Sequence, residues 1–248
     1  PSSWPENIDD VFCGYAGGLS PENIDSELPK IIDNCDGIIT VSNFSKNDIA
    51  KEFNFPSQNI YVTPLAAEAI YKPMSKCRSK DLVTKKYGIQ EDFILYVGGF
   101  SPRKNILGLI EAYSNLPAKL RETFKLVITG RKGASYDKYK NRAEELHVLN
   151  NVVFTDFIPA EDMPLFYNAA EVLVYPSFYE GFGLPILKSM KVGSPVITSD
   201  VSSMPEISNN AALLVDPYSI ENISKAIEKI AKSSALRQTL IKKGLENS

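Results

Sequence analysis

The chain has 248 residues, enough for one large domain or two small ones, and its 44% apolar and 23% charged content is that of an ordinary soluble globular protein. A net charge of −3 without any Lys/Arg run argues against nucleic acid as a partner, and no apolar run nears the roughly 18 residues of a membrane span. Three widely spaced cysteines (Cys13, Cys35, Cys77) have neither zinc spacing nor a disulfide framework, which favours a reducing, cytoplasmic compartment.

The first 35 residues carry little pattern. PENID occurs at Pro5–Asp9 and again at Pro21–Asp25, which is too little for a repeat architecture. Cys13-Gly-Tyr-Ala-Gly-Gly18 reads as a turn, because no clear strand feeds it. From Gly37 the pattern sharpens. Gly37–Ser42 is a short buried-type strand, Ser45 is read as the N-cap of a helix to about Phe53, and Ile60–Thr63 is the next strand. Pro64 to Pro73 reads as a connection between domains.

Beyond it, apolar strands are expected at Phe93–Val97, Lys125–Thr129, Val152–Thr155, Val172–Tyr175, Pro195–Thr198 and Ala212–Val215. Helices are expected between and after them, at Ile106–Ser114, Tyr136–Leu146, Ala160–Ala169, Leu184–Val192, Met204–Ile207 and Ile220–Ala231. Strand–helix alternation with nearly all-apolar strands predicts a doubly wound, Rossmann-like parallel sheet covered on both faces. Ligands of such sheets bind beyond the carboxyl ends of the strands, so the chemistry belongs to the loops at 98–105, 130–134, 156–159, 176–184 and 199–203. The chain begins at Pro1 with no signal-like segment and stops within or just after a helical pattern at Leu236–Gly244, so it reads as cut at both ends.

Two loops stand out. In Gly98-Gly-Phe-Ser-Pro-Arg-Lys-Asn105, Gly98 and Gly99 let backbone approach a phosphate, and Arg103 and Lys104 would neutralise a diphosphate. The same residues also suit a strand-to-helix turn with two solvated cations, and they match neither the dinucleotide nor the Walker pattern. In Tyr175-Pro-Ser-Phe-Tyr-Glu-Gly-Phe-Gly-Leu-Pro185, Glu180 stands before Gly181, Phe182, Gly183 and Leu184. A carboxylate followed by exposed amides at a helix start can hold sugar hydroxyls and an anion together; a glycine-tolerant turn with a surface acid is the plainer alternative. Lys188 follows within the first turns of that helix, where the dipole disfavours a cation unless an anion is near, and Lys191 shares its face. The sole histidine, His147, falls on the side opposite these loops and reads as surface or packing. No Asp-x-Asp pair, metal-spaced cluster or G-x-S-x-G elbow is present.

Together these stretches resemble the retaining glycosyltransferases of the large family four (glycosyl transferases group 1), which have the GT-B fold of two Rossmann-like domains. The match runs through Tyr96–Asn105, Val153-Phe-Thr-Asp-Phe-Ile-Pro159, Tyr175–Pro185, Gly193-Ser-Pro-Val-Ile-Thr-Ser199, Ser203-Met-Pro-Glu206 and Ala212-Leu-Leu-Val-Asp-Pro217. Asp36–Ser45 and Tyr61–Leu65 are similar to the end of the family's first domain. The resemblance implies a partial acceptor-side domain at 1–72 and a donor-binding domain at 73–248. It implies transfer of a hexose, mannose or glucose, from a GDP- or UDP-linked donor to a saccharide or lipid-linked acceptor, with retention and without a metal or other cofactor.

By that resemblance Arg103 and Lys104 bind the donor diphosphate, Glu180 is the catalytic-site residue that holds hydroxyls of the transferred sugar, and the base lies near Phe157 and Ile158. The amides of Gly181–Leu184 meet sugar and phosphate. Where the family has a second Glu for the ribose hydroxyls, this chain has Lys188. An ammonium donates but cannot accept, so ribose binding is weakened or reorganised and Lys188 is left to reach a phosphate. The family's first domain supplies the acceptor site, so the 248 residues alone are expected to be inactive, and that domain is where a peripheral contact with the inner face of a membrane would arise. Lys188 also motivates the alternative of a non-catalytic nucleotide-sugar- or partner-binding relative. A nucleotide-sugar epimerase of related fold fits less well, given where His147 falls.

Overall fold

The computed structural model describes residues 11–13, 29–133 and 136–248, in two compact units, Pro1–Leu65 and Ala66–Ser248. The division falls at the start of the expected connection rather than at 72/73. Both PENID segments and residues 14–18 lie outside the described residues.

The first unit holds a parallel sheet in the order β1 (Val11–Cys13), β2 (Gly37–Thr40), β3 (Ile60–Val62). A strand does therefore lead into Cys13, contrary to the sequence expectation. Three residues after an acidic pair give no local signal, and their extended form comes from pairing Val11 and Cys13 with Gly37 and Ile39. Helix α1 (Asn43–Glu52) begins earlier than expected: Ser42 is its N-cap, its hydroxyl accepting from the Ser45 amide at 3.1 Å, so Ser45 lies inside the helix. Ile32, Ile38 and Ile60 form the core, against which Ile49, Ala50, Phe53 and Phe55 pack.

The second unit is a six-stranded parallel sheet in the order β6-β5-β4-β7-β8-β9. Its strands are β4 (Asp92–Val97), β5 (Phe124–Thr129), β6 (Val152–Asp156), β7 (Val172–Tyr175), β8 (Val196–Ser199) and β9 (Leu213–Val215). All six expected strands are present, with ends moved by one residue at most. Phe93, Ile94, Leu95, Tyr96 and the whole of β7 are buried, as a sheet covered on both faces requires. Helices α3 (Ile106–Ser114), α5 (Tyr136–Glu145) and α9 (Ile220–Lys232) pack together as one layer. The other layer comprises α2 (Lys76–Tyr87), α6 (Met163–Ala169), α7 (Leu184–Lys191) and α10 (Ser234–Asn247). Two short helices, α4 (Ala118–Thr123) and α8 (Met204–Ser208), complete the described set.

Two of these helices, α2 and α4, go beyond the expected ones, and α10 extends the helical pattern read at Leu236–Gly244. Helix α2 buries only Ser79 and Val83, so it shows almost no apolar stripe. It is fixed instead by polar contacts: Lys86 Nζ and Tyr87 OH each donate to the Asp162 carboxylate at 2.6 Å, beside an edge contact of Tyr87 on Phe166. The expected start of α6 at Ala160 gives way to Met163, with Asp162 as the preceding cap residue spent on that contact.

This strand order decides where a ligand can sit. From β4 the chain winds outward to β5 and β6, then returns to β7 on the other side and proceeds to β8 and β9. The sense of winding reverses between β4 and β7, and the loops leaving these two strands meet beyond their carboxyl ends, where ligands of such sheets bind. Those loops carry Arg103 and Lys104 on one side and Glu180 on the other.

Candidate donor site

The Glu180 carboxylate binds both cations of the facing loop. Arg103 Nη1 donates to Oε2 at 2.7 Å and Lys104 Nζ to Oε1 at 2.6 Å. Lys104 also donates to the Tyr175 hydroxyl at 2.6 Å, and Arg103 to the Tyr179 carbonyl at 3.0 Å. Neither simpler sequence reading holds. The side chains of Glu180 and Lys104 are only 8% and 11% exposed, so this is no surface acid and no solvated lysine; Arg103, at 50%, faces solvent with half its surface.

The electrostatics follow from that burial. Burial pushes the Glu180 carboxyl up, but the Lys104 ammonium and then the Arg103 guanidinium more than offset it and hold it below the usual range. Lys104 is drawn below its ordinary value, chiefly by burial, with Glu180 pulling the other way. Tyr175, buried and next to Glu180, is pushed far up and stays a neutral hydroxyl. Two cations against one carboxylate leave the cluster with one net positive charge, suited to an anion.

The backbone around Glu180 is held by serines. Ser202 Oγ accepts from the Glu180 amide at 2.9 Å, and Ser203 Oγ bridges the carbonyls of Glu180 (2.8 Å) and Phe182 (2.7 Å). Asn105, at φ 55°, sends its side-chain amide to the Pro176 carbonyl (3.1 Å) and the Pro217 carbonyl (2.7 Å). The loops after β4, β7 and β9 are thereby joined. Gly183 caps α7 at φ 113°, a conformation that favours glycine, and Pro185 sits in the first turn, where no amide donor is needed. At the start of α7 the Ile186 amide donates to the Gly183 carbonyl at 2.9 Å and Pro185 has no N–H, so Leu184 carries the first amide without a partner inside the helix.

The remaining expected site residues are placed as follows. Gly98 is a packing requirement, since a Cβ there would lie 2.8 Å from the Tyr96 hydroxyl, whereas Gly99 borders open space. Phe182 and Ile158 are buried, Gly181 and Leu184 half-buried, and Phe157 is 61% exposed with the Arg131 guanidinium 5.8 Å from its ring centroid. Asp156, at φ 65°, accepts from the Lys132 and Phe157 amides and so aims the Phe157 loop. Lys188 is not a solvated surface lysine: its Nζ lies 3.0 Å from Glu68 Oε1 and 4.7 Å from the centre of the Tyr71 ring. His147 is exposed at the far end of α5, away from these loops, as expected.

Sequence reasoning passes over Tyr175, Asn105, Ser202 and Ser203 as site-building residues, though all but Ser202 stand inside the quoted motifs. It passes over Glu68 and Tyr71 entirely. Nothing local marks them, because their partner lies more than a hundred residues later in the chain.

A doubly wound parallel sheet with a cationic, acid-bearing cluster at its switch point places the second unit among the Rossmann-like α/β domains. The pattern for glycosyl transferases group 1 matches residues 79–247, and the chain belongs to that family, whose GT-B fold it shares. It is 36% identical over 222 residues to the Escherichia coli O-antigen chain mannosyltransferase B, a match covering 90% of this chain and 58% of that protein. Among solved structures it is similar to sucrose-phosphate synthase from Thermosynechococcus elongatus: TM-score 0.78, 25% identity, covering 95% of this chain and 59% of that one. Anabaena HepE in complex with UDP and glucose has the same fold: TM-score 0.79, 17% identity, with 94% and 63% covered. The chain thus spans less than two thirds of the length of each.

Proposed function

We propose that the second unit binds a nucleotide-diphosphate hexose, GDP- or UDP-linked, and that the whole protein transfers the hexose to a saccharide or lipid-linked acceptor with retention of configuration. The observation that carries this reading is the convergence of Arg103, Lys104 and Glu180 at the β4/β7 switch point. The mannosyltransferase relative supports a hexose as the transferred group, and the complex of HepE with UDP supports a nucleotide donor.

In this proposal the donor diphosphate lies on Arg103, Lys104 and the amides at the start of α7. As it takes the two cations, the Glu180 carboxylate turns to the hexose hydroxyls, which it can accept from on both oxygens. When the bond between the anomeric carbon and the phosphate oxygen breaks, the charge gathering on the leaving diphosphate meets fixed positive groups and needs no reorganisation. Two protein cations and a helix terminus supply the charge that a metal would otherwise bring, so the transfer is proposed to be metal-independent. Donor binding without transfer is proposed for these 248 residues alone. The setting proposed is the cytoplasm, at the inner face of the membrane when the acceptor is lipid-linked. Among the described residues no helix is long and apolar enough to cross a membrane.

Calorimetric titration of the folded chain with GDP-mannose, UDP-glucose, GDP and UDP tests the donor reading. Saturable binding of at least one is expected; silence for all four at millimolar concentration would overturn it. The configuration of the product formed by the full-length protein, read by NMR at the anomeric proton, tests retention.

A further inference from the structure

The Lys188 contact points to more than a clamp. Helix α7 sends two lysines back to the first residues of its own unit. Lys188 Nζ holds the Glu68 carboxylate at 3.0 Å while resting over the Tyr71 ring, and Lys191 Nζ donates to the Ala67 carbonyl at 2.7 Å. Tyr71 is itself buried and set edge-on against Tyr167, and the next stretch is pinned where the Met74 amide donates to Asn168 Oδ1 at 2.7 Å. The backbone of residues 67–74 is thus fixed at several points, and the position of Glu68 is set by them.

The cluster is asymmetric. The Lys188 side chain is 18% exposed and the Glu68 side chain 57%. The ammonium is spent on the ring and the acid, while the carboxylate presents more than half its surface outward. A carboxylate is an acceptor for paired hydroxyls, and a vicinal diol is the group that uses both of its oxygens. Lys188 lies four residues beyond Leu184, or about 6 Å along the helix axis from the end that follows Glu180, the residue that holds the Arg103 and Lys104 cations. In a nucleoside diphosphate the next group along from the phosphates is the ribose, with its 2′,3′-diol.

We propose that Glu68, presented by Lys188 and Tyr71, is the hydroxyl-accepting residue for the ribose of the bound nucleotide. This rests on the donor reading above. Lys188 is then a positioning residue: it does not bind the nucleotide but holds the acid that does, and the carboxylate comes from the start of the unit rather than from the helix.

Comparing GDP and UDP with their 2′,3′-dideoxy counterparts and with inorganic pyrophosphate, by calorimetry on the whole chain, tests it. In the unaltered protein the better of the two nucleotides should lose about tenfold or more in affinity when the diol is removed, the loss expected for hydrogen bonds to a charged group. Glu68→Gln should bring nucleotide and dideoxynucleotide to within about threefold of each other and leave pyrophosphate binding unchanged. Lys188→Met should erode the discrimination and Lys188→Arg should retain it. A purely structural clamp would instead weaken all three ligand types in parallel, and that result overturns the inference. So does discrimination that survives in a folded Glu68→Gln protein, or is missing from the unaltered one, while the donor reading stands in each case. If the unaltered chain binds no nucleotide at all, both fall.

Discussion

Two lysine–glutamate clusters lie along the chain around the start of α7, and they differ in what surrounds them. Lys104 and Glu180 are almost wholly enclosed, share a tyrosine hydroxyl and include a second cation. Lys188 and Glu68 meet at the rim, with the acid largely in water. Contact distances are similar, yet the physics is not. In the enclosed cluster each charge depends on the others, because a lone buried charge is costly. At the rim, water screens the acid, and the pair fixes a position more than it adds stability.

Substitutions can break this contrast or sharpen it. Glu180→Ala leaves the enclosed Lys104 without its carboxylate, so it should cost about 3–5 kcal/mol in urea unfolding and abolish donor binding. A cost below 1 kcal/mol would mean that the two clusters are energetically alike. Acid should work in the same direction. The Glu180 and Asp162 carboxyls are both held low in the folded chain, Asp162 chiefly by its hydrogen bond from Lys86. Their contribution is therefore complete above the unfolded carboxylate range and is lost as pH falls through the lower folded values. Stability measured from pH 6 down to pH 3 should drop, and Glu180→Gln should flatten part of that drop.

Gly183→Ala places a side chain at φ 113° with its Cβ 3.0 Å from Ile186 Cδ1, and should lower stability by about 1–3 kcal/mol while weakening donor binding through the displaced start of α7. The smallest effect belongs to the rim. Lys188→Met should change stability by about 1 kcal/mol or less, and that difference should shrink further in 0.5 M salt, whereas the Glu180→Ala cost should be nearly salt-independent.

Much of this was legible before the structure. The strands of the second unit are nearly all-apolar runs between glycine- and proline-bearing loops, and their alternation with helices dictates a parallel sheet with its chemistry at one edge. Arg103, Lys104 and Glu180 could be chosen because charged residues in those loops face the crevice by topology. What could not be read was the pairing. Arg103 and Glu180 are 77 residues apart, and only the β4/β7 neighbourhood makes them meet. Lys188 illustrates the limit most clearly. As a sequence feature it is a cation in the first turns of a helix, where the dipole opposes it. Its compensating anion arrives from Glu68, and no period or motif links the two. Helix α2 was hidden for a different reason: it is held by an Asp162 network and a tyrosine edge rather than by an apolar stripe.

Asn105 has a consequence for motion. One buried amide group donates to two carbonyls, Pro176 and Pro217, that belong to loops leaving different strands. Both of its donor hydrogens are committed, so neither loop can shift without stretching the other's tether. Any opening or closing of the crevice on this side must then be a single concerted displacement, and hydrogen exchange in the 176–180 and 216–219 segments should share one opening rate rather than two.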